Sequence, residues 1–250
     1  MPAPVALVTG ASGGLGAEFA RQLAAQGHRL VLVARRRERL EALAEEVGNA
    51  RVIGMDLSAP DAAAALMAGL ASHDEAVETL VNNAGFGLAG GFAGLDPARQ
   101  REMIDLNCGA LEELSRAAIA GMIARKAGGI LNVASTAAFQ PGPGMAVYFA
   151  TKAFVLSFSE ALHDEVKPLG IKVSCLCPGP TSTEFRSVSG FDPKGKLAKL
   201  SADAPSVVAA GLKGLARNKA VVVPGLSNKA ISQAHRLFPR ALMRRAARMR

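Results

Sequence analysis

The chain lacks tryptophan and has a single tyrosine, Tyr148, in 250 residues. Ten phenylalanines complete its aromatic set. So few rings leave little with which to stack unpaired bases, which argues against a nucleic-acid partner. No run reaches the ~18 uninterrupted apolar residues that a membrane span needs. The opening MPAPVALVTG places no basic residue before its apolar run and shows no cleavage site, so the expected location is the cytoplasm. Cysteine is scarce. Cys108, Cys175 and Cys177 cannot all pair, which fits reduced thiols. Cys175-x-Cys177 sits in an apolar run without a nearby histidine, so a zinc site is rejected and no metal is expected.

Acidic residues are missing from one region only. Residues 194–250 hold 13 Lys or Arg against one Asp or Glu, whereas residues 1–193 hold 16 against 20. The formal charge of +8 therefore belongs to a tail and not to a stripe across the fold, which again speaks against nucleic acid. Half of the residues are hydrophobic and a fifth are charged, enough apolar mass for a sizeable core.

Apolar and β-branched runs at 5–8, 29–34, 52–55, 79–82, 130–134, 171–177 and 220–223 read as seven strands. Helical spacing fills the gaps at 15–26, 36–47, 59–72, 97–125, 146–167 and 203–217. Near-continuous apolar strands alternating with helices predict an α/β protein: one Rossmann-type, doubly wound parallel sheet with helices on both faces. The division expected is a domain over residues 1–225 and a basic helical extension over 226–250.

Thr9-Gly10-Ala11-Ser12-Gly13-Gly14-Leu15-Gly16 links the first strand to the first helix. A backbone without Cβ atoms lets a pyrophosphate approach, and the helix N-terminus offers N–H groups and a positive dipole end. The position between strand and helix favours a dinucleotide site over an ordinary glycine turn. After the second strand comes Arg35-Arg36-Arg37, where an NAD site would carry an acid for the ribose 2′-hydroxyl. Arg35, and less securely Arg36, is expected to meet a 2′-phosphate, which favours NADP(H).

Tyr148 and Lys152 are four residues apart, on one face of a predicted helix. An ammonium beside a phenol favours phenolate, so the pKa of Tyr148 is expected below its free value, suited to acid–base work. Ser135 follows an apolar strand and can donate to the same oxygen, while Asn107 sits in an otherwise apolar helix.

In these motifs, together with Asp56-Leu57, Asn82-Asn83-Ala84-Gly85 and Pro178-Gly179 with Thr183, residues 5–223 closely resemble the short-chain dehydrogenase/reductase family. The resemblance implies that Tyr148 protonates a substrate oxygen while NADPH delivers hydride. It also implies that Lys152 binds the nicotinamide ribose, Ser135 orients the carbonyl and Asn107 holds a water that links Lys152 to solvent. Gly10, Ser12, Gly13, Gly14, Leu15 and Gly16 would hold the pyrophosphate; Asp56 and Leu57 would meet the adenine. Asn83, Ala84 and Gly85 would flank ribose and phosphates, and Pro178, Gly179, Thr181 and Thr183 the carboxamide. Gly13 departs from the family's frequent Ser or basic residue, which leaves the 2′-phosphate to Arg35.

The same resemblance implies a substrate lid over about 181–200 and a homo-oligomer, dimer or tetramer, built through the helices at 97–125 and 146–167. The loops at 86–95 and 137–145 are apolar or small, with Gln140 as a polar candidate, so a hydrophobic ketone or similar small molecule fits. The leading reading is an NADPH-dependent carbonyl reductase, or the reverse alcohol oxidation; the alternative is a non-catalytic NADP-binding sensor or scaffold. In the tail, Arg236, Arg240, Arg244 and Arg248 recur every four residues among apolar positions, and Pro239 should split the helix. Packing against its own subunit or a partner is favoured over contact with a membrane surface.

Overall fold

The computed structural model describes residues 3–181, 189–190 and 202–248. Seven strands, β1 (Ala3–Thr9), β2 (Leu30–Ala34), β3 (Ala50–Gly54), β4 (Glu75–Asn82), β5 (Gly129–Val133), β6 (Lys172–Leu176) and β7 (Val221–Val222), form one sheet. Their order is β3-β2-β1-β4-β5-β6-β7, and every pairing is parallel. The chain begins at the centre, winds outward through β2 and β3, then returns to β4 on the other side of β1. Order therefore reverses between β1 and β4, and the crevice at their carboxyl ends is where such a sheet holds ligands.

Strand residues alternate between two cores, as the two-residue period requires. Val5, Leu7, Val31, Val33, Leu80 and Ile130 pack on α3 (Ala62–Ala71) and α5 (Leu111–Arg125). Ala6, Val8, Leu30, Leu32, Val81 and Leu131 pack on α1 (Gly14–Ala25), α2 (Arg37–Val47) and α7 (Ala204–Ala216). A sheet buried on both faces has no place for polar strand residues, which explains its apolar runs. Asn82 and Asn132, like Thr9 and Ser174, are buried polar exceptions. The Asn82 amide donates to Asn132 Oδ1 at 2.9 Å and to Ser115 Oγ at 3.0 Å, and the Asn132 amide donates to Ser159 Oγ at 2.9 Å. Ser115 and Ser159 are thus buried members of a network that ties β4 and β5 to two helices.

Two helices differ from expectation. The stretch at 59–72 becomes helical only at Ala62, because Asp56 Oδ1 accepts from the Ser58 N–H and hydroxyl and holds that segment in a turn. The stretch at 97–125 is broken. It comprises α4 (Pro97–Ile104), a π-helical turn over Asp105–Ala110, and α5. The π turn adds a residue at the height of Asn107, a local widening that often accompanies functional positions. Beyond it lie α6 (Ala146–Val166), α8 (Leu226–Leu237) and α9 (Arg240–Arg248). The break at Pro239 falls as its missing N–H dictates. Ser232 and Met243 are buried, so the inner face of the extension packs on its own subunit.

Candidate active site

The glycine loop leaves β1 with Gly10 at φ +65°, a left-handed conformation that L side chains rarely adopt. A Cβ on Gly16 would lie 2.1 Å from the Gly10 carbonyl oxygen, so only glycine allows the loop to fold back on α1. No side chain caps the start of α1, which leaves its first N–H groups available to an anion. Thr9 and Asn83 hold this cradle across the switch point. Thr9 Oγ1 accepts from the Asn83 and Ala84 N–H groups at 3.0 Å each, and Asn83 Nδ2 donates to the Thr9 and Gly10 carbonyls at 3.0 and 3.3 Å. A glycine-rich loop with uncapped N–H groups fits a pyrophosphate.

The cradle opens into a cavity of about 800 Å³ that runs along the carboxyl ends of the strands. Gly10, Ser12, Gly13, Gly14, Leu15, Arg35, Arg36, Asp56, Leu57, Asn83, Ala84, Gly85, Ser135, Tyr148, Lys152, Pro178, Gly179 and Thr181 all line it. Gly16 lies behind, against Gly10, and Asn107 lies behind Gly85. Thr183 and all but Thr181, Ser189 and Gly190 of the expected lid lie outside the described residues. Thr181 donates through Oγ1 to the Gly179 carbonyl at 3.1 Å.

The arginines divide differently from expectation. Arg35 is drawn away to acids: its Nη1 lies 3.0 Å from Glu102 Oε1 and 3.7 Å from Asp56 Oδ2. Arg36 folds over the glycine loop, where Nε and Nη2 donate to Ser12 Oγ at 3.2 and 3.1 Å. The Asp56 carboxyl is pushed up by burial, but its two bonds from Ser58 and the nearby Arg35 outweigh this and hold it below the ordinary value. Asp56 therefore faces the cleft as an anion.

At the far end, α6 brings Tyr148 and Lys152 beneath Ser135, the second residue after β5. Tyr148 is 8 % exposed and Lys152 5 %. Ser135 stands beside the phenol and favours its ionised form. Its Oγ accepts from the Ala137 N–H at 3.1 Å, which leaves the hydroxyl proton to face the phenol. Lys152 Nζ donates to the Val133 carbonyl at 2.9 Å and lies 5.9 Å from the centre of the Tyr148 ring. Burial lowers the pKa of Lys152 to about 8. Burial also pushes Tyr148 up to about 12, against the lowering effect of Ser135. The sequence-based expectation of a depressed phenol is thus overturned: the ammonium is bound to a carbonyl and not to the phenol oxygen, so desolvation prevails. Cys108, also close to Lys152, is pushed up to about 11 by burial and stays a neutral thiol.

Asn107 does not meet Lys152 directly. Its Oδ1 accepts from the Phe86 N–H at 3.1 Å; its Nδ2 donates to the Phe86 carbonyl at 2.9 Å and to Thr151 Oγ1 at 3.0 Å. A Cβ on Gly85 would fall 2.8 Å from Asn107 Oδ1 and 3.6 Å from Lys152 Nζ. Asn107 thereby pins the loop after β4 to the helix that carries the lysine. Thr9, Thr151 and Asn228 escaped sequence reasoning. Thr9 was visible as the start of the glycine motif, whereas Asn228, whose side chain fills the space beside Gly179, carries no local signal.

The short chain dehydrogenase family profile matches residues 4–192. The chain belongs to that family and is an oxidoreductase acting on CH–OH or C=O groups. It is 38 % identical over 192 residues to the NADP-dependent 3-hydroxy acid dehydrogenase YdfG of Salmonella typhi, covering 74 % of this chain and 75 % of that protein. Among solved structures it resembles a short-chain dehydrogenase from Sphingobium yanoikuyae in complex with NADPH (35 % identity, TM-score 0.83, 94 % of both chains). It also resembles the bulky-bulky ketone specific alcohol dehydrogenase from Comamonas testosteroni (32 % identity, TM-score 0.79, 94 % of this chain and 93 % of that one).

A buried ammonium costs stability, and the direction follows from its pKa. The folded value of about 8 lies below the ordinary 10.5. The unfolded chain therefore binds more protons between these values, and stability rises with pH across that window. Below about 8 the penalty is complete, roughly 3 kcal/mol from the size of the shift. Lys152→Met should therefore gain stability on the wild type near neutral pH, and the gap should narrow as pH rises through 8 to 10.5. Urea unfolding followed across that range measures it; a gap independent of pH would contradict the assignment.

Proposed function

We propose that this chain is an NADPH-dependent carbonyl reductase acting on a hydrophobic ketone, or oxidising the corresponding alcohol. The observation that carries the reading is the buried pair Tyr148 and Lys152, with Ser135 beside the phenol, at one end of a cleft whose other end is a glycine-rich phosphate cradle. A binding module would have no use for a buried phenol and ammonium. The bound nicotinamide would supply hydride.

Each protein group then has a task. At a pKa of about 12 Tyr148 keeps its proton at neutral pH and donates it to the carbonyl oxygen as charge develops there. Ser135, beside the phenol, offers its hydroxyl to the same oxygen and stabilises it. Lys152 supplies positive charge that eases formation of phenolate and reaches the ribose. Asn107 acts through Phe86 and Thr151 by holding the Lys152 helix in register. Gly10, Gly14 and the α1 N-terminus would hold the pyrophosphate; Asp56, Leu57, Asn83, Ala84 and Gly85 the adenosine and ribose; Pro178, Gly179, Thr181 and Thr183 the carboxamide.

Phe86, Ala89, Ala137, Met145, Phe149 and Ile231 line the wide end of the cavity, which supports an apolar substrate. Gln140 and Asn228 are its polar groups there.

Tyr148→Phe deletes one hydroxyl and keeps the ring, so turnover should fall ~10²–10⁴-fold while NADPH binding stays nearly intact. Steady-state reduction of a ketone panel, with cofactor fluorescence titration, tests this. Wild-type turnover in the variant would remove Tyr148 as the proton donor.

Arg36 and Ser12 support the preference for NADP(H), since together they offer a guanidinium and a hydroxyl beside the ribose end of the cradle. Arg36→Ala should lose about 10- to 100-fold in kcat/KM for NADPH with little change for NADH, the range expected for a lost charged hydrogen bond. Arg35→Ala should lose less, because Arg35 is already paired with Glu102 and Asp56. Equal losses with both cofactors would refute the assignment.

The reading includes self-association. Phe92 is 67 % exposed, and Ile104 and Phe154 are also open to solvent. Phe92 and Ile104 line a second apolar hollow with Val147 and Ala150 on α6. Light scattering should report a multiple of the 25.8 kDa chain mass, and a monomer at micromolar concentration would count against it.

A further inference from the structure

The C-terminal helix pair has an inner face that packs on the subunit and an outer face that does the opposite. Ile231 of α8 and Ala247 of α9 line the cleft, and Met243 is buried. At the junction between the helices, Phe238 has an extended backbone and a side chain 54 % exposed. The first turn of α9, closed by a 2.9 Å bond from the Leu242 N–H to the Pro239 carbonyl, brings Leu242 beside it, 50 % exposed. Arg244 and Arg245 follow and are exposed. Residues 226–250 contain seven Lys or Arg and no Asp or Glu.

We propose that this junction docks the protein on an anionic lipid bilayer surface, with Phe238 and Leu242 entering the headgroup layer and the surrounding cations meeting lipid phosphates. An aromatic and an aliphatic tip followed by exposed arginines, in a segment that is basic throughout, is the composition that binds such a surface. Among the described residues no helix is long and apolar enough to cross a membrane, so contact is superficial. A second copy fits poorly: a two-fold contact would set each basic face against its own duplicate. A nucleic acid would match the charge but not the protruding Phe238 and Leu242. Because α8 and α9 also wall the cleft, docking would place the cleft beside the lipid. The proposal does not rest on the proposed reaction.

The test is flotation of the full chain with vesicles rich in phosphatidylglycerol, and with pure phosphatidylcholine, at low and high salt. The wild type should float with the anionic vesicles only and be released by salt. Phe238→Asp with Leu242→Asp, and separately Arg244→Glu with Arg245→Glu, should each lower vesicle affinity roughly tenfold or more. Both pairs should retain NADPH binding and turnover of a soluble ketone, which shows that they fold. Leu169→Asp, at an exposed leucine elsewhere, should float like the wild type. Absence of flotation, equal binding to both lipids, or undiminished binding by both double variants would overturn the proposal. So would a concentration-dependent rise in mass that Phe238→Asp with Leu242→Asp abolishes while wild-type flotation is absent, since the face would then be filled by a second copy.

Discussion

Much of the site is organised around a lysine ammonium held out of water. An isolated buried cation is costly, and this one has a carbonyl, that of Val133, as its hydrogen-bond partner at 2.9 Å. The neighbouring thiols cannot compensate it, since burial raises Cys108 and Cys177 and keeps them neutral. The surroundings are shaped to keep Lys152 in place: α6 carries it, Gly85 leaves room above it, and Asn107 pins the facing loop. The π turn at 105–110 lets one asparagine side chain reach both Phe86 and Thr151. The fold thus accepts a destabilising charge at the place the proposed reaction would use it.

The opposite end of the cleft is built from backbone. Thr9 and Asn83 tie the ends of β1 and β4 together with hydrogen bonds near 3.0 Å, and glycines keep the space between them clear. Two neutral side chains and a helix terminus thereby leave N–H groups free in a space suited to an anion. The charge comes from Arg36, which leans onto Ser12, while Arg35 is held by Glu102 of α4 and by Asp56. That pairing joins the end of β2 to α4, the helix that leads into the π turn. The two halves of the cleft are therefore physically linked.

The extension after β7 is neither a free tail nor a separate body. Its inward residues complete the cavity wall, and Asn228, bonded to the Pro224 carbonyl at 2.8 Å, occupies the space that a side chain at Gly179 would need. The cavity wall thus draws on residues after β7 as well as on the loops at 86–95 and 137–145.

The seven strands, the glycine loop and the Tyr148/Lys152 pair are legible in the sequence because each is a local pattern. Apolar runs mark strands buried on both faces, glycines mark backbone that must pass close to backbone, and a four-residue spacing puts two side chains on one face of a helix. The split at Pro239 is legible for the same reason. What tertiary structure decided are the quantities that depend on distant partners. The π turn arises inside a stretch whose spacing reads as plain helix, because Phe86 and Thr151 capture Asn107. Glu102, 67 residues away, takes Arg35 and leaves Ser12 to Arg36. The rise of the Tyr148 pKa is decided in the same way: four residues of spacing set who is near whom, but only the packed core sets how much water either group keeps, and desolvation outweighs proximity.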